Sequence, residues 1–147
     1  MNRMIGLDFG SRTVGVAVSD PLHITAQPVE TIWRKQESHL RKTLQRIEEL
    51  VKEYEADTIV LGCPMNMNGT AGERVTKTQE FRDALERRLP GTKVLLRDER
   101  LTTAQAEKVL MEGGVRREDR KEHLDSMAAV LILQNYLDFL AINKEKI

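Results

Sequence analysis

Three carboxylates stand where chemistry is possible. Asp8 follows the apolar run Met4-Ile5-Gly6-Leu7, Glu99 follows Lys93-Val94-Leu95-Leu96-Arg97, and Asp125 lies within an apolar stretch near the end of the sequence. A carboxylate at a strand end, or on a helix of otherwise apolar residues, is costly to bury without a cation beside it. Hard oxygen donors of this kind suit Mg²⁺ or Mn²⁺, and two such ions about 3.5 to 4 Å apart stabilise both the attacking water and the leaving oxygen of a phosphodiester. Each acid also has a plain structural use: Asp8 closes a turn, Glu99 pairs with Arg97 or Arg100, and Asp125 meets the positive end of a helix dipole. Position alone leaves both readings open.

The elements that must position these acids follow from hydrophobic period and turn residues. Residues 4–9 and 13–18 read as two short strands around Gly10-Ser11-Arg12, an antiparallel hairpin with Asp8 near the end of its first strand. Pro28–Ile32 is a weaker third strand. Ser38–Tyr54 carries Leu40, Leu44, Ile47, Val51 and Tyr54 on one helical face. Thr58–Leu61 is a fourth, fully buried strand, stopped by Gly62-Cys63-Pro64 ahead of a polar loop from Asn66 to Gly72. A helix from Glu73 to Leu89 ends at Pro90-Gly91, and Lys93–Arg97 forms a fifth strand with Asp98-Glu99 at its end. Thr102 and Gln105 have capping-box spacing for a short helix that ends at Gly113-Gly114. The charged run Arg116–Glu122 reads as a mobile loop. Leu124–Leu140 is a helix apolar on nearly every side, expected to pack deeply, with Asp125 in line with Ala129, Ile132 and Tyr136. This order specifies an α/β fold: a mixed five-stranded sheet, its first three strands antiparallel, flanked by helices.

Length and composition limit the function classes. The 147 residues fit one domain, 1–147, and 40% apolar with 31% charged residues is a globular balance. No apolar run approaches the roughly 20 residues of a membrane span, and the first residues lack the pattern of a signal peptide, so a cytoplasmic location and no membrane partner are expected. Cys63 is alone, which excludes an internal disulfide and a cysteine-based zinc site; it reads as a small buried hydrophobe. His23, His39 and His123 have no zinc spacing, and no Gly-x-Ser-x-Gly elbow is present. Basic and acidic residues balance at 23 each, which by itself argues against nucleic acid. Bound divalent ions and local basic segments would answer that objection: Arg74, Lys77, Arg116, Arg117, Arg120 and Lys121 form a candidate rim for phosphates, although Glu118, Asp119 and Glu122 dilute it.

Gly6-Leu7-Asp8-Phe9-Gly10, leading into Gly15-Val16-Ala17-Val18-Ser19-Asp20, resembles the opening of the YqgF (RuvX) family, which is associated with pre-16S rRNA cleavage and resembles Holliday junction resolvases. Three further blocks match in order: Gly62 to Thr70, Asp98-Glu99-Arg100-Leu101-Thr102-Thr103, and Leu124-Asp125-Ser126-Met127-Ala128-Ala129 onward to Leu133. The blocks span almost the whole chain. The second and third are specific, whereas the first alone is weak. The resemblance implies a ribonuclease H-like fold in which Asp8, Glu99 and Asp125 are the catalytic, metal-holding acids, with Asp98 the alternative for the second. The oxygen donors of that set make Mg²⁺ or Mn²⁺ the expected cofactor, with water attacking phosphorus in line with the leaving 3′ oxygen. Gly10, Asn66, Asn68 and Thr70 are expected to approach a nucleic-acid backbone, as are Arg100, Thr102 and Thr103 after Glu99. The implied activity is a nuclease in ribosome biogenesis that processes the 5′ end of precursor 16S rRNA, with a ribosomal partner possible, or one that cuts branched DNA. A monomer and a homodimer are both compatible, and a junction resolvase would need two sites related by a two-fold axis.

Two rivals come from other classes. Asp8-Phe9-Gly10 before a hairpin resembles the phosphate-binding opening of actin-like ATPases and sugar kinases, but those clasp nucleotide between two such units and this chain offers one, with no Walker-A sequence. A ribosome-assembly or transcription factor that keeps the fold without catalysis is the non-enzymatic alternative. Asp8→Asn discriminates: a nuclease loses activity with its fold intact, whereas a binding module keeps its function.

Overall fold

The computed structural model describes residues 2–63, 72–98 and 117–145, with side chains for all of these except residues 98, 117–126 and 144–145. Its elements are β1 (Arg3–Phe9), β2 (Thr13–Ser19), β3 (Ala26–Trp33), α1 (Arg41–Glu53), β4 (Ala56–Cys63), α2 (Glu73–Arg88), β5 (Lys93–Asp98) and α3 (Arg117–Glu145). The sheet order is β3-β2-β1-β4-β5. β1, β2 and β3 pair antiparallel, while β4 joins β1, and β5 joins β4, in parallel. This is the mixed five-stranded sheet expected from the sequence, with its antiparallel start.

Alternation along the strands divides the core in two. Ile5, Leu7, Phe9, Val14, Val16, Ile59 and Leu61 meet Ile47, Leu50 and Val51 of α1 and Phe81 and Leu85 of α2. On the opposite face Met4, Ala17, Ala26 and Val60 meet Ala129, Ile132, Leu133 and Leu137 of α3.

Gly6 lies on the α3 face. A Cβ there would come within 2.7 Å of the Leu133 Cβ and 2.8 Å of the Ala129 carbonyl oxygen, so α3 rests almost directly on the β1 backbone. Only glycine permits that approach.

Two expectations are corrected. Residues 117–122, expected as a mobile loop, are helical and form the first turns of α3. Charge was mistaken for mobility: Glu, Lys and Arg are good helix formers, the run holds neither Gly nor Pro, and Glu118 and Lys121 stand at i,i+3 spacing. Nor is α3 buried all round. It covers the sheet with one stripe and leaves Phe139 and Ile142 about half exposed. The short helix expected from Thr102 to Gly113 lies outside the described residues, as do residues 66–71 of the polar loop. Gly72 caps α2.

Candidate active site

Asp8 is the penultimate residue of β1, half-buried, and on the α3 face by its alternation with Leu7 and Phe9. Leu7, Leu61 and Leu96 stand in one row across β1, β4 and β5. The C-terminal ends of these parallel strands therefore share one edge of the sheet. Asp98, the last residue of β5, pairs with Cys63 at that edge, two strand spacings or about 10 Å from β1. Glu99 comes next and lies outside the described residues.

α3 reaches the same edge. Gln134 hydrogen-bonds the Ala26 amide and the Ile24 carbonyl, level with Ser19, which pairs with Ala26. Ala129 and Leu133 lie against Gly6, further along β1 toward Asp8. Going back along the helix thus means going forward along β1. Asp125, one turn before Ala129, lies on the Asp8 side of that contact; its side chain is outside the described set. Among the described residues no three His, Cys, Asp or Glu side chains come together to hold a metal. Of the expected acidic set, Asp8 alone has its side chain described.

The turn after Asp8 is held by two arginines. Arg34, only 8% exposed, donates from Nη2 to the Gly10 carbonyl at 2.6 Å and the Ser11 carbonyl at 3.0 Å, and from Nε to the Glu37 carbonyl at 3.3 Å. Arg74 donates to the Phe9 carbonyl at 3.3 Å and pairs with Glu37. Both guanidinium groups lie over the Phe9 ring, 4.7 and 4.8 Å from its centroid, and that ring stacks on Phe81 at 4.1 Å. Glu37 also accepts from Lys77 at 2.8 Å. Lys77 and then Arg74 hold the Glu37 carboxyl below its ordinary range. Burial, and secondarily the nearby Arg74 charge, pulls the Arg34 guanidinium down. Among the described residues, Nη1 of Arg34 and Nε of Arg74 are buried without a hydrogen-bond partner.

Arg74 and Lys77, expected on a phosphate-binding rim, are thus both committed to Glu37. The roles of Arg34 and Glu37 escaped the sequence reading, since within Arg34-Lys35-Gln36-Glu37 nothing marks one cation as buried. Gly10 sits in the held turn, where a Cβ would come within 3.0 Å of the Thr13 hydroxyl oxygen. Asn66, Asn68, Thr70, Arg100, Thr102, Thr103 and Arg116 lie outside the described residues; Arg117 opens α3, with its side chain undescribed. Cys63 is buried, as expected of a small hydrophobe. Among the described residues no helix is long and apolar enough to cross a membrane.

The RuvX family model, described as Holliday junction resolvase, matches residues 2–139. A protein of Agathobacter rectalis is 60% identical over 139 residues, covering 95% of this chain and 96% of its own length, and one of Lachnospira eligens is 56% identical over 136 residues, covering 92% and 96%. Both are provisionally named pre-16S rRNA nuclease. Among solved structures, the yeast mitochondrial Holliday junction resolvase Ydc2 superposes with a TM-score of 0.62 at 15% identity, covering 98% of this chain and 81% of that one. T. thermophilus RuvC in complex with a Holliday junction substrate gives 0.58 at 15% identity, covering 95% and 96%. At such identities the structures speak for the fold, which is ribonuclease H-like. The match along nearly the whole chain, together with relatives at 50–60% identity named as nucleases, places this chain in the RuvX family of Holliday junction resolvase-like nucleases.

Proposed function

We propose that this chain acts as a single, metal-dependent phosphodiester endonuclease domain that processes the 5′ end of precursor 16S rRNA in the cytoplasm, with Asp8, Glu99 and Asp125 as its catalytic acids. The observation that carries the reading is the shared edge: Asp8 stands one residue from the end of β1, where β5 delivers Asp98 and where α3, tight against Gly6, runs back toward Asp125. The names of the relatives supply the RNA substrate.

The donor chemistry fits Mg²⁺ or Mn²⁺. Asp8 is half-buried at an open strand end, and further carboxylates would enter from β5 and α3, so a hard cation would relieve their mutual repulsion. When bound, such ions screen the phosphate charge and lower the pKa of water. The chain's own residues do the positioning. Arg34 and Arg74 fix the carbonyls of the turn after Asp8, and Gly10, Asn66, Asn68, Thr70, Arg100, Thr102, Thr103, Arg116 and Arg117 are the proposed contacts to the nucleic-acid backbone.

Cleavage of a precursor 16S rRNA 5′ segment with Mg²⁺ or Mn²⁺, lost in Asp8→Asn and in excess EDTA, is the expected result. Undiminished cleavage in EDTA would overturn metal dependence. The family's own description favours one second reading, a branched-DNA substrate; preferential cutting of a four-way junction would move the assignment there. A ribosomal partner and the choice between monomer and homodimer are tested by adding ribosomal subunits to the same assay and by sedimentation.

A further inference from the structure

Trp33 ends the edge strand β3 with 55% of its surface exposed. An indole is among the most rewarding side chains to bury, so one left open on a strand edge invites a reason. Among the described residues none of the cation–π contacts involves it.

Beside the ring opens a groove of about 600 Å³ whose walls include the apolar Trp33 and Leu40 and the polar or charged Lys35, His39, Arg41 and Lys42. Lys35, Arg41 and Lys42 are exposed, and among the described residues none has an acidic partner within 4.0 Å. The one acid in this stretch, Glu37, is already engaged by Arg74 and Lys77. A chain whose net charge is zero therefore concentrates unneutralised positive charge around a bare indole. An apolar partner would strand those cations, whereas a polyanion with aromatic bases satisfies ring and charges together.

Trp33, one wall of this groove, also stands within reach of Asp8. Asp8, Gly15 and Thr31 form one row across β1, β2 and β3, and Trp33 lies two residues beyond Thr31 on the same face. From strand spacing and rise the separation is about 12 Å. At about 3.4 Å per stacked nucleotide that is three or four nucleotides.

We propose that the groove beside Trp33 binds a single-stranded stretch of nucleic acid flanking the scissile phosphate, with a base stacked on the indole and its phosphates held by Lys35, Arg41 and Lys42. This rests on the nuclease reading but makes a separate claim about binding.

Trp33 is the sole tryptophan, so its fluorescence reports on this groove alone. The probe is a short oligouridylate, titrated into the full chain at low salt without divalent metal, with fluorescence anisotropy of a labelled oligouridylate as the independent measure of binding. Saturable quenching of Trp33 emission is expected. Trp33→Ala should weaken binding about tenfold or more, Trp33→Phe should retain most of it, and neutralising Lys35, Arg41 and Lys42 to Gln should reduce the salt slope by about 2. Unchanged thermal melting would show that the variants are folded. Binding without quenching, no binding, or equal affinity in Trp33→Ala would overturn the proposal. Quenching by oligouridylate with no cleavage of any substrate would instead sink the nuclease reading and leave the groove standing.

Discussion

Against α1 and α2 the sheet presents Ile5, Leu7, Phe9, Val14 and Val16; against α3 it presents Met4, Gly6, Ala17, Ala26 and Val60. On the first face large side chains interdigitate, and the Phe9–Phe81 stack extends the packing to the strand's end. On the second, small residues let a helix lie close to the strand backbone. The first arrangement is suited to stability, because burial grows with apolar area. The second sets a distance. It fixes how near the helix bearing Asp125 comes to the strand bearing Asp8, and it has no slack.

Breaking the contrast at the edge should have the largest effect. Asp8→Asn is expected to lower cleavage by about a thousandfold or more while stability stays within about 1 kcal/mol, read from rates and urea melts side by side. A variant that unfolds would show Asp8 to be structural instead. Next comes the tight face: Gly6→Ala drives a methyl into Ala129 and Leu133 and should cost about 3 kcal/mol, with the damage visible in the urea midpoint. The broad face should be more forgiving. Phe81→Leu removes the stack but keeps most of the volume, so a loss of about 1 to 1.5 kcal/mol is expected. If it cost more than Gly6→Ala, the comparison would be the wrong way round.

The smallest effect concerns Glu37, whose carboxylate holds Arg74 and Lys77. Its carboxyl is held below the ordinary 4.5, so its contribution to stability is full above that pH and is lost as pH falls through the lower, folded-state value. The gap in urea midpoint between the wild type and Glu37→Gln should therefore be widest near neutrality and close in acid.

Much of this was readable from the sequence, for reasons that differ by element. Strand pattern gave the sheet, because residues 4–9, 13–18 and 58–61 are short apolar runs bounded by turn residues, and the placement of Asp8 near a strand end followed. Gly6 was silent: a glycine in a strand reads as a weak spot until the helix that presses on it is known. Arg34 was silent too. Its partners are backbone carbonyls at Gly10 and Ser11, which carry no signature in side-chain identity. The start of α3 was misread because local charge was weighed above helix propensity. The edge shared by β1, β4 and β5 needed the parallel pairing of strands far apart in the chain, which no local pattern encodes.

The position of α3 also bears on when the protein becomes active. β1, β2 and β3 form a meander whose pairings are local, and such contacts form early as a nascent chain emerges. The helix that covers that meander is the last of the described elements to be translated, and it lies mainly over the first three strands made. Until it docks, one face of the sheet is bare and the strand bearing Asp8 lacks its partner helix. A nuclease built this way stays incomplete until α3 has been made and has docked on the first three strands.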